Sequence, residues 1–450
     1  MTAATPAFCA IDFGTSNSAI AIAAPGEGPQ AMRLVPLEGG QPTMPTAVFY
    51  ATDPGDLPAS ARPGPSVHDA LPRCVGRAAI AAYIDGHEGR LMRSMKSVLG
   101  SALVDQTTEV GGGHGVKFSD VITGYLRHLR DTAQAALPAG SGALTHVVMG
   151  RPVQFVDDDA ERDALAQRQL EAAARAVGFT EVQFQYEPIA AAFDHERHLD
   201  HEECVLVADI GGGTSDFSVV RVGPQRAQRA ERRDDILANG GVHIAGTDFD
   251  RHLDLMAIMP TLGLGGFGPA PKDGSSPRPV PSKVYFDLST WHLVNTVYAP
   301  QRMAELRAMA DFYGNPVHHP RLMKVVRERL GHALLGEAEA AKIAVSGGGD
   351  SHIVLDLIER GLAANVVGEQ ASRAWGDDIG RIVQSAQATV AQAGLRADQV
   401  DALYFTGGST GLKLLTDAIQ AAFPSARVVR GDRLASVATG LGLHAARVFA

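Results

Sequence analysis

Two short apolar runs, Phe8 to Ile11 and Val205 to Ala208, each end in an aspartate, pass through a glycine-containing turn and lead into a second apolar run. The first reads Phe8-Cys-Ala-Ile-Asp12-Phe-Gly14-Thr15-Ser16-Asn17-Ser-Ala-Ile-Ala-Ile22. The second reads Val205-Leu-Val-Ala-Asp209-Ile-Gly211-Gly212-Gly213-Thr214-Ser215-Asp216-Phe-Ser-Val-Val220. Short apolar runs bounded by Gly, Ser, Thr and Asn are strand signals, and two of them joined by such a turn predict a β-hairpin. One pattern in two places predicts a duplicated architecture with one lobe per hairpin.

Between and after the hairpins the apolar positions take helical spacing. Helices are expected over Phe118 to Leu137, Asp158 to Val177, Asp248 to Met259, Arg321 to Val345, Gly376 to Gly394 and Ser436 to Phe449. Strands are expected at Thr145 to Met149 and Ala402 to Phe405, the latter leading through Thr406-Gly407-Gly408-Ser409-Thr410-Gly411 into a helix that runs to Phe423. Strands alternating with helices make this an α/β protein with mixed sheets. Pro54 to Pro72 and the Pro/Gly-rich run Gly263 to Pro281 read as surface loops, the second opening a wider insertion near 263–320. The division expected is lobe I over 1–203 with a closing helix over 432–450, and lobe II over 204–431, with crossing segments near Glu187 and Asp432 as hinges.

A chain of 450 residues, 45% hydrophobic and 20% charged, has enough apolar residues for two cores and is not disordered in composition. Its formal charge of −10, with no basic run, argues against a nucleic-acid backbone or an anionic membrane as partner. No apolar stretch is long enough to span a bilayer. The first apolar run is interrupted by Asp12, and no Lys or Arg precedes Arg33, so no secretory signal is read. Three cysteines without CxxC spacing suit a reducing cytosol, and the expected location is cytoplasmic. His195, His198 and His201 beside Glu196, Glu202 and Glu203 read as a solvated helix end rather than a metal site, and His318-His319 before Pro320 as a turn. Trp291 and Trp375 read as packing residues, with Trp291 also open to a partner surface.

Glycine in a turn after a strand lets backbone N–H groups converge on phosphate oxygens at close range. Gly14 and the run Gly211, Gly212, Gly213 supply two such turns, accompanied by Thr15, Ser16, Asn17 and Thr214. Asp12 and Asp209, at the strand ends, suit hydrated Mg²⁺, which prefers oxygen ligands, keeps several waters and bridges to phosphates. The hairpins would then clasp a triphosphate from opposite sides. A single Asp-x-Gly-Thr is an ordinary turn; it is the pair, followed by a strand and Gly-Gly-Ser-Thr, that points to a nucleotide.

These stretches resemble the nucleotide-binding ATPase domain of the seventy-kilodalton heat-shock chaperone family (DnaK-type). Further matching segments are Arg93-Ser-Met-Lys96-Ser-Val-Leu-Gly100, Gly150-Arg-Pro152, Gln185-Tyr-Glu187-Pro188, Gly246-Thr-Asp248-Phe-Asp250, Glu339-Ala-Ala-Lys342-Ile-Ala-Val-Ser346 and Gly407-Gly408-Ser409-Thr410. The resemblance implies an actin-like, ribonuclease-H-like duplicated two-lobe ATPase fold with a nucleotide cleft between the lobes. It implies ATP or ADP with Mg²⁺ as ligands. Asp12, Thr15, Asp209, Gly211 to Gly213 and Thr214 would form the phosphate and Mg²⁺ site, Lys96 would be the catalytic lysine, and Glu187 and Asp216 the carboxylates near the attacking water. Glu339, Lys342 and Ser346 would meet the adenosine from one helix face, Gly407 and Gly408 would bring backbone against it from the other side, and Gly246 and Ser409 would also bind the nucleotide.

The chain departs from the family pattern at Ile343 and Gly411, where the family carries arginines, and Leu434 occupies a late acidic position. Pro152 matches the family's switch proline, but Arg162, the nearest relay arginine, stands at a different spacing. The inserted run from Gly263, with Trp291 and Asp311-Phe-Tyr-Gly, makes the chain look similar to the short bacterial YegD-type chaperones, a resemblance that implies the ATPase region without the peptide-binding domain. The function expected is slow ATP hydrolysis that closes the lobes and switches interaction with a protein client or co-chaperone. Two alternatives stand beside it: a nucleotide-gated reactivating or scaffold protein with little hydrolysis, and a small-molecule kinase of the same fold, which would need an acceptor pocket. Oligomeric state is not legible.

Overall fold

The computed structural model describes residues 7–24, 31–53, 55, 57, 71–111, 113–156, 159–229, 231–272, 275–431 and 435–449. The expected loop at 54–72 falls almost wholly outside these residues, as do Asp432 and Leu434.

The apolar runs fold into two sheets of matching plan. In the first, β1 (Ala7–Phe13) pairs antiparallel with β2 (Asn17–Ala23), which carries β3 (Met32–Leu34) and β4 (Thr43–Pro45). β5 (Ala47–Ala51), β6 (Arg73–Val75), α1 (Gly76–Ile84) and β7 (Gly89–Arg93) form a side sheet with its own helix, and β8 (Thr107–Gly111) and β9 (His114–Lys117) form a separate hairpin. After α2 (Phe118–Ala135), β10 (Leu144–Arg151) runs parallel to β1; after α3 (Ala160–Ala176), β11 (Glu181–Tyr186) runs parallel to β10. The order is β11-β10-β1-β2-β3.

α4 (Glu187–Glu196) crosses to the second sheet. There β12 (Glu203–Ile210) and β13 (Ser215–Val222) repeat the hairpin, followed by α5 (Pro224–Ala227) and β14 (Ile236–Val242). The chain continues through α6 (Gly246–Leu253), α7 (Lys283–Leu288), α8 (Val294–Val297), α9 (Pro300–Ala308), α10 (His318–Arg327), α11 (Gly331–Val345), the hairpin of β15 (Ser351–Val354) and β16 (Ala363–Val366), and α12 (Gly368–Gln392). Then β17 (Ala402–Thr406) runs parallel to β12, α13 (Lys413–Ala422) follows, β18 (Arg427–Arg430) runs parallel to β17, and α14 (Ser436–Phe449) closes the described chain. The order β14-β13-β12-β17-β18 is the first sheet's plan repeated, strand for strand.

α4 and α14 lie between the sheets and share one core with both, through Ile189, Phe193, Leu441, Ala10, Val148, Val207 and Tyr404. They approach closely because small residues face each other: a Cβ added at Gly440 would lie 1.8 Å from the carbonyl oxygen of Ala190. The outer faces of the sheets are covered by α2 and α3 on one side and by α6, α11, α12 and α13 on the other.

Three sequence expectations are corrected. The helix expected over Arg321 to Val345 is broken, and Arg329 takes a left-handed φ of 55°. The break brings Gly331 against Leu288, Val294 and Tyr298, whose hydroxyl accepts from its N–H at 2.8 Å. The helix expected over Asp248 to Met259 ends at Leu253, continues as a wide turn over Asp254–Ile258 and tightens over Met259–Leu262, where Pro260 has no N–H to donate. His318-His319 opens α10 instead of forming a turn, whereas the run Gly263 to Pro281 contains no helix among its described residues and the wider insertion turns helical only from Lys283.

Candidate functional site

Because the hairpins are equivalent, Asp12 and Asp209 occupy equivalent places, next to last in β1 and β12. Asp209 pairs in register with Asp216, and Glu187 opens α4 immediately after β11. Lys96 comes from a tight turn over Met95–Val98, preceded by Ser94 at a left-handed φ of 52°, which an L side chain seldom adopts. Its Nζ donates to Glu187 Oε1 at 2.5 Å, with Lys96 itself only 9% exposed.

Glu187 touches this ammonium, and Asp12, Asp209 and Asp216 lie within its electrostatic reach. Burial pushes Asp12 up to about 8, with Glu187 and then Asp209 adding to the shift and Lys96 opposing it. Asp209 is pushed up to about 7, first by burial, then by Asp216 and Glu187. Asp216 is open to the cleft, yet its concave position desolvates it and holds it above the usual carboxylate range, against a hydrogen bond from Thr214 Oγ1 at 2.8 Å. Carboxylates that resist ionisation only because water and cations are scarce will ionise when a cation arrives.

The turns above these aspartates face each other. A Cβ placed on Gly212 would lie 3.8 Å from Ser16 Oγ, while one on Gly213 would meet nothing within 4 Å. Gly14 has no such room, since its Cβ would fall 2.2 Å from the carbonyl oxygen of Asn17. Thr15 and Asn17 are exposed. Behind the second turn, Ser409 Oγ donates to Gly211 O at 2.6 Å, and the backbone N–H of Thr247 to Gly212 O at 2.8 Å. Gly407, at a φ of 87°, passes so close that a Cβ would lie 2.6 Å from Asp209 Oδ1; Gly408 begins the tight turn that follows.

The remaining predicted residues are dispersed around this floor. Lys342 Nζ reaches Gly246 O at 3.2 Å and Asp250 Oδ1 at 2.7 Å, a partner the sequence did not indicate. Ser346 caps α11 with its hydroxyl turned onto Ile343 O, and Glu339 is exposed within the field of Arg93 and Asp250. Arg162 donates to Gly100 O at 3.0 Å, while Arg151, within the Gly150-Arg-Pro152 segment, is buried against Asp163 at 2.8 Å. His195, Glu196 and Glu203, expected at a solvated helix end, are buried instead, with His195 against Glu203 at 3.0 Å; among the described residues no group of His, Cys, Asp and Glu has the arrangement of a metal site.

The lobes also touch at an aromatic junction that no local pattern announced. Tyr83 of α1 stacks on Trp291 at 5.4 Å, His332 of α11 meets both edge-on, and the Arg93 guanidinium lies 4.1 Å from the Trp291 ring centre. Desolvation lowers His332 to about 4, leaving the ring neutral. Arg329 Nη1 adds a hydrogen bond to Gly86 O at 3.1 Å.

A model of the Hsp70 protein family matches residues 8–257, more than half of the chain and including both hairpins, Lys96 and Glu187. The chain belongs to the Hsp70 family. Its duplicated sheets are the actin-like two-lobe ATPase fold of that family. This Hsp70-family chain is 25% identical over 442 residues to the chaperone protein HscA of Pectobacterium atrosepticum, covering 97% of the chain and 57% of the relative. It is 26% identical over 446 residues to an HscA homolog of Shewanella sp. (strain MR-4), with the same two shares, 97% and 57%. An HscA homolog of Pseudomonas putida is 29% identical over 259 residues, covering 53% of the chain and 35% of the relative. The chain spans about half the length of the curated relatives it matches. Among the described residues no helix is long and apolar enough to cross a membrane.

Proposed function

We propose that the protein binds ATP between its lobes, hydrolyses it slowly, and uses the closed and open states to switch its hold on a protein client or co-chaperone. The observation that carries this reading is the Lys96–Glu187 contact at 2.5 Å, within the electrostatic reach of Asp12, Asp209 and Asp216, together with two glycine turns that approach each other at Gly212 and Ser16. The four carboxylates fit a Mg²⁺-bearing ligand, since a cation there relieves their mutual repulsion, and the open space at Gly213 fits phosphate oxygens. Asp12 and Asp209 would hold the hydrated Mg²⁺, whose part is to neutralise charge on the phosphates.

The chain's own residues do the rest. Backbone N–H groups around Gly14 and Gly211 to Gly213, with Thr15, Ser16, Asn17 and Thr214, bind the phosphate oxygens. Lys96, drawn from Glu187 toward the γ-phosphate, stabilises charge on the departing phosphoryl group. Glu187 and Asp216 orient the attacking water and take up its proton. Glu339, Lys342, Ser346, Gly246, Gly407, Gly408 and Ser409 line the adenosine side. We place the lobe boundary at 203/204, with α14 belonging to the first lobe, and the protein in the cytoplasm, on its acidic charge and scattered cysteines.

A second reading, a nucleotide-gated scaffold with little turnover, is favoured by one observation. Ile343 is 64% exposed on α11 in place of a cation that could stack on the base. Single-turnover hydrolysis of ATP with Mg²⁺, run with nucleotide binding measured in parallel, separates the two. Hydrolysis by the native chain supports the ATPase; binding without hydrolysis leaves the scaffold. ADP release that depends on an added sugar or acid would instead indicate a kinase.

A further inference from the structure

The connection between β13 and β14, Gly223 to Asp235, carries Arg226, Arg229, Arg232 and Arg233. Arg232 is only 1% exposed, an unusual place for a guanidinium. Its Nη1 and Nη2 donate to the two oxygens of Glu196 at 3.1 and 2.9 Å, and its Nε donates to Asp235. Glu196 also accepts from Gly223 N–H at 3.0 Å. Arg226 donates to Asp235 and, at 2.6 Å, to Glu202, and Arg229 stands 3.7 Å from Asp235. The Arg232 guanidinium covers one ring, Phe193 of α4, at 5.5 Å; Arg447 of α14 approaches the same ring at 5.8 Å and donates to Ala227 O.

Glu196 is the last residue of α4, and Glu187 is the first. The helix between them is buried through Ile189 to Phe193, so it moves as a rod of about 13 Å at 1.5 Å per residue. A buried, fully donated carboxylate has one favourable arrangement, because sliding it strands charge away from water. We infer that the Arg232–Glu196 pair is a bolt that fixes α4 against the second lobe and thereby sets where Glu187 stands opposite Lys96. Arg232 is therefore a positioning residue. The inference rests on the site proposed above for its catalytic consequence, but its structural part is readable without turnover.

The test is the paired variant Arg232→Met with Glu196→Gln, which removes both charges while the new amide still accepts from Gly223 N–H. Its urea midpoint, nucleotide affinity, single-turnover ATP hydrolysis and amide exchange are compared with those of the native chain. Affinity should stay within about twofold, while hydrolysis slows about tenfold and amides of Ile189 to Ala192 exchange faster. Adding Lys96→Ala to that background should slow hydrolysis less than it does in the native chain, because the Lys96–Glu187 pairing is already loosened. If the paired variant does not fold, Arg232→Lys, which keeps the charge but not the fork, should show the same changes at smaller size. Native exchange at Ile189 to Ala192 in the folded variant would overturn the inference. A native chain without ATPase activity would instead sink the proposed function and leave the exchange result to decide this one.

Discussion

The two lobes meet at junctions of opposite chemistry. At the aromatic one, Tyr83, Arg93, Trp291 and His332 stack through rings and a single cation. At the ionic one, Arg232 and Glu196 are both buried and both satisfied. Aromatic pairs contribute about 0.5–1.5 kcal/mol each and tolerate sliding, whereas stranding one partner of a buried ion pair costs about 3–5 kcal/mol. In the proposed cycle the ionic junction is thus the pivot and the aromatic junction the part that opens.

The largest way to break this contrast is Arg232→Met alone, which leaves Glu196 buried without its cation. It should lower stability by about 3–5 kcal/mol, seen as a lower urea midpoint; an unchanged midpoint would remove the pivot. Between the junctions, Lys96→Ala should slow ATP hydrolysis by about 100-fold while nucleotide binding persists, because the positive charge is lost where phosphoryl charge develops. Binding lost in step with hydrolysis would make Lys96 a binding residue only.

A smaller effect separates the junctions by pH. His332 has its folded pKa lowered from 6.5 to about 4, so the unfolded chain binds the extra proton first. Its contribution is intact above 6.5 and lost as pH falls toward 4, at up to about 1.4 kcal/mol per pH unit. His444 is lowered to about 4 as well and acts in the same direction. His332→Phe should flatten part of the acid-side loss in a thermal series from pH 7 to 5; an identical slope would show that the ring carries no share. The smallest effect is at Trp291→Ala, which should cost the junction about 1–1.5 kcal/mol and speed ADP release by about tenfold with little change in hydrolysis. Release at the native rate would mean that the junction does not hold the lobes together around nucleotide.

Local chemistry made part of this architecture legible. The hairpins ending in Asp12 and Asp209 were readable because strand runs and glycine turns are short-range signals, and their repetition carried the duplicated plan of the sheets. The break before α11 was not readable, because it is imposed by Gly331 packing on Val294 and Tyr298. Lys96 was marked by a motif, but its 2.5 Å contact with Glu187 joins residues far apart in the chain. The aromatic junction has no motif: Trp291 stood out in the sequence only as a packing residue open to a partner surface, and its contacts with Tyr83 and His332 form only when the lobes are assembled. Arg232 carries no motif, and Glu196, expected at a solvated helix end, is shown by its burial against Arg232 to lie in the interior.

In the proposed cycle nucleotide is gripped by both turns at once. Amide hydrogen exchange of the intact chain, with Mg²⁺ and ATP, with Mg²⁺ and ADP, and without nucleotide, tests it most directly. Simultaneous slowing over Asp12 to Asn17 and Asp209 to Asp216 with ATP is the predicted result; slowing in one turn alone, or in neither, would contradict it.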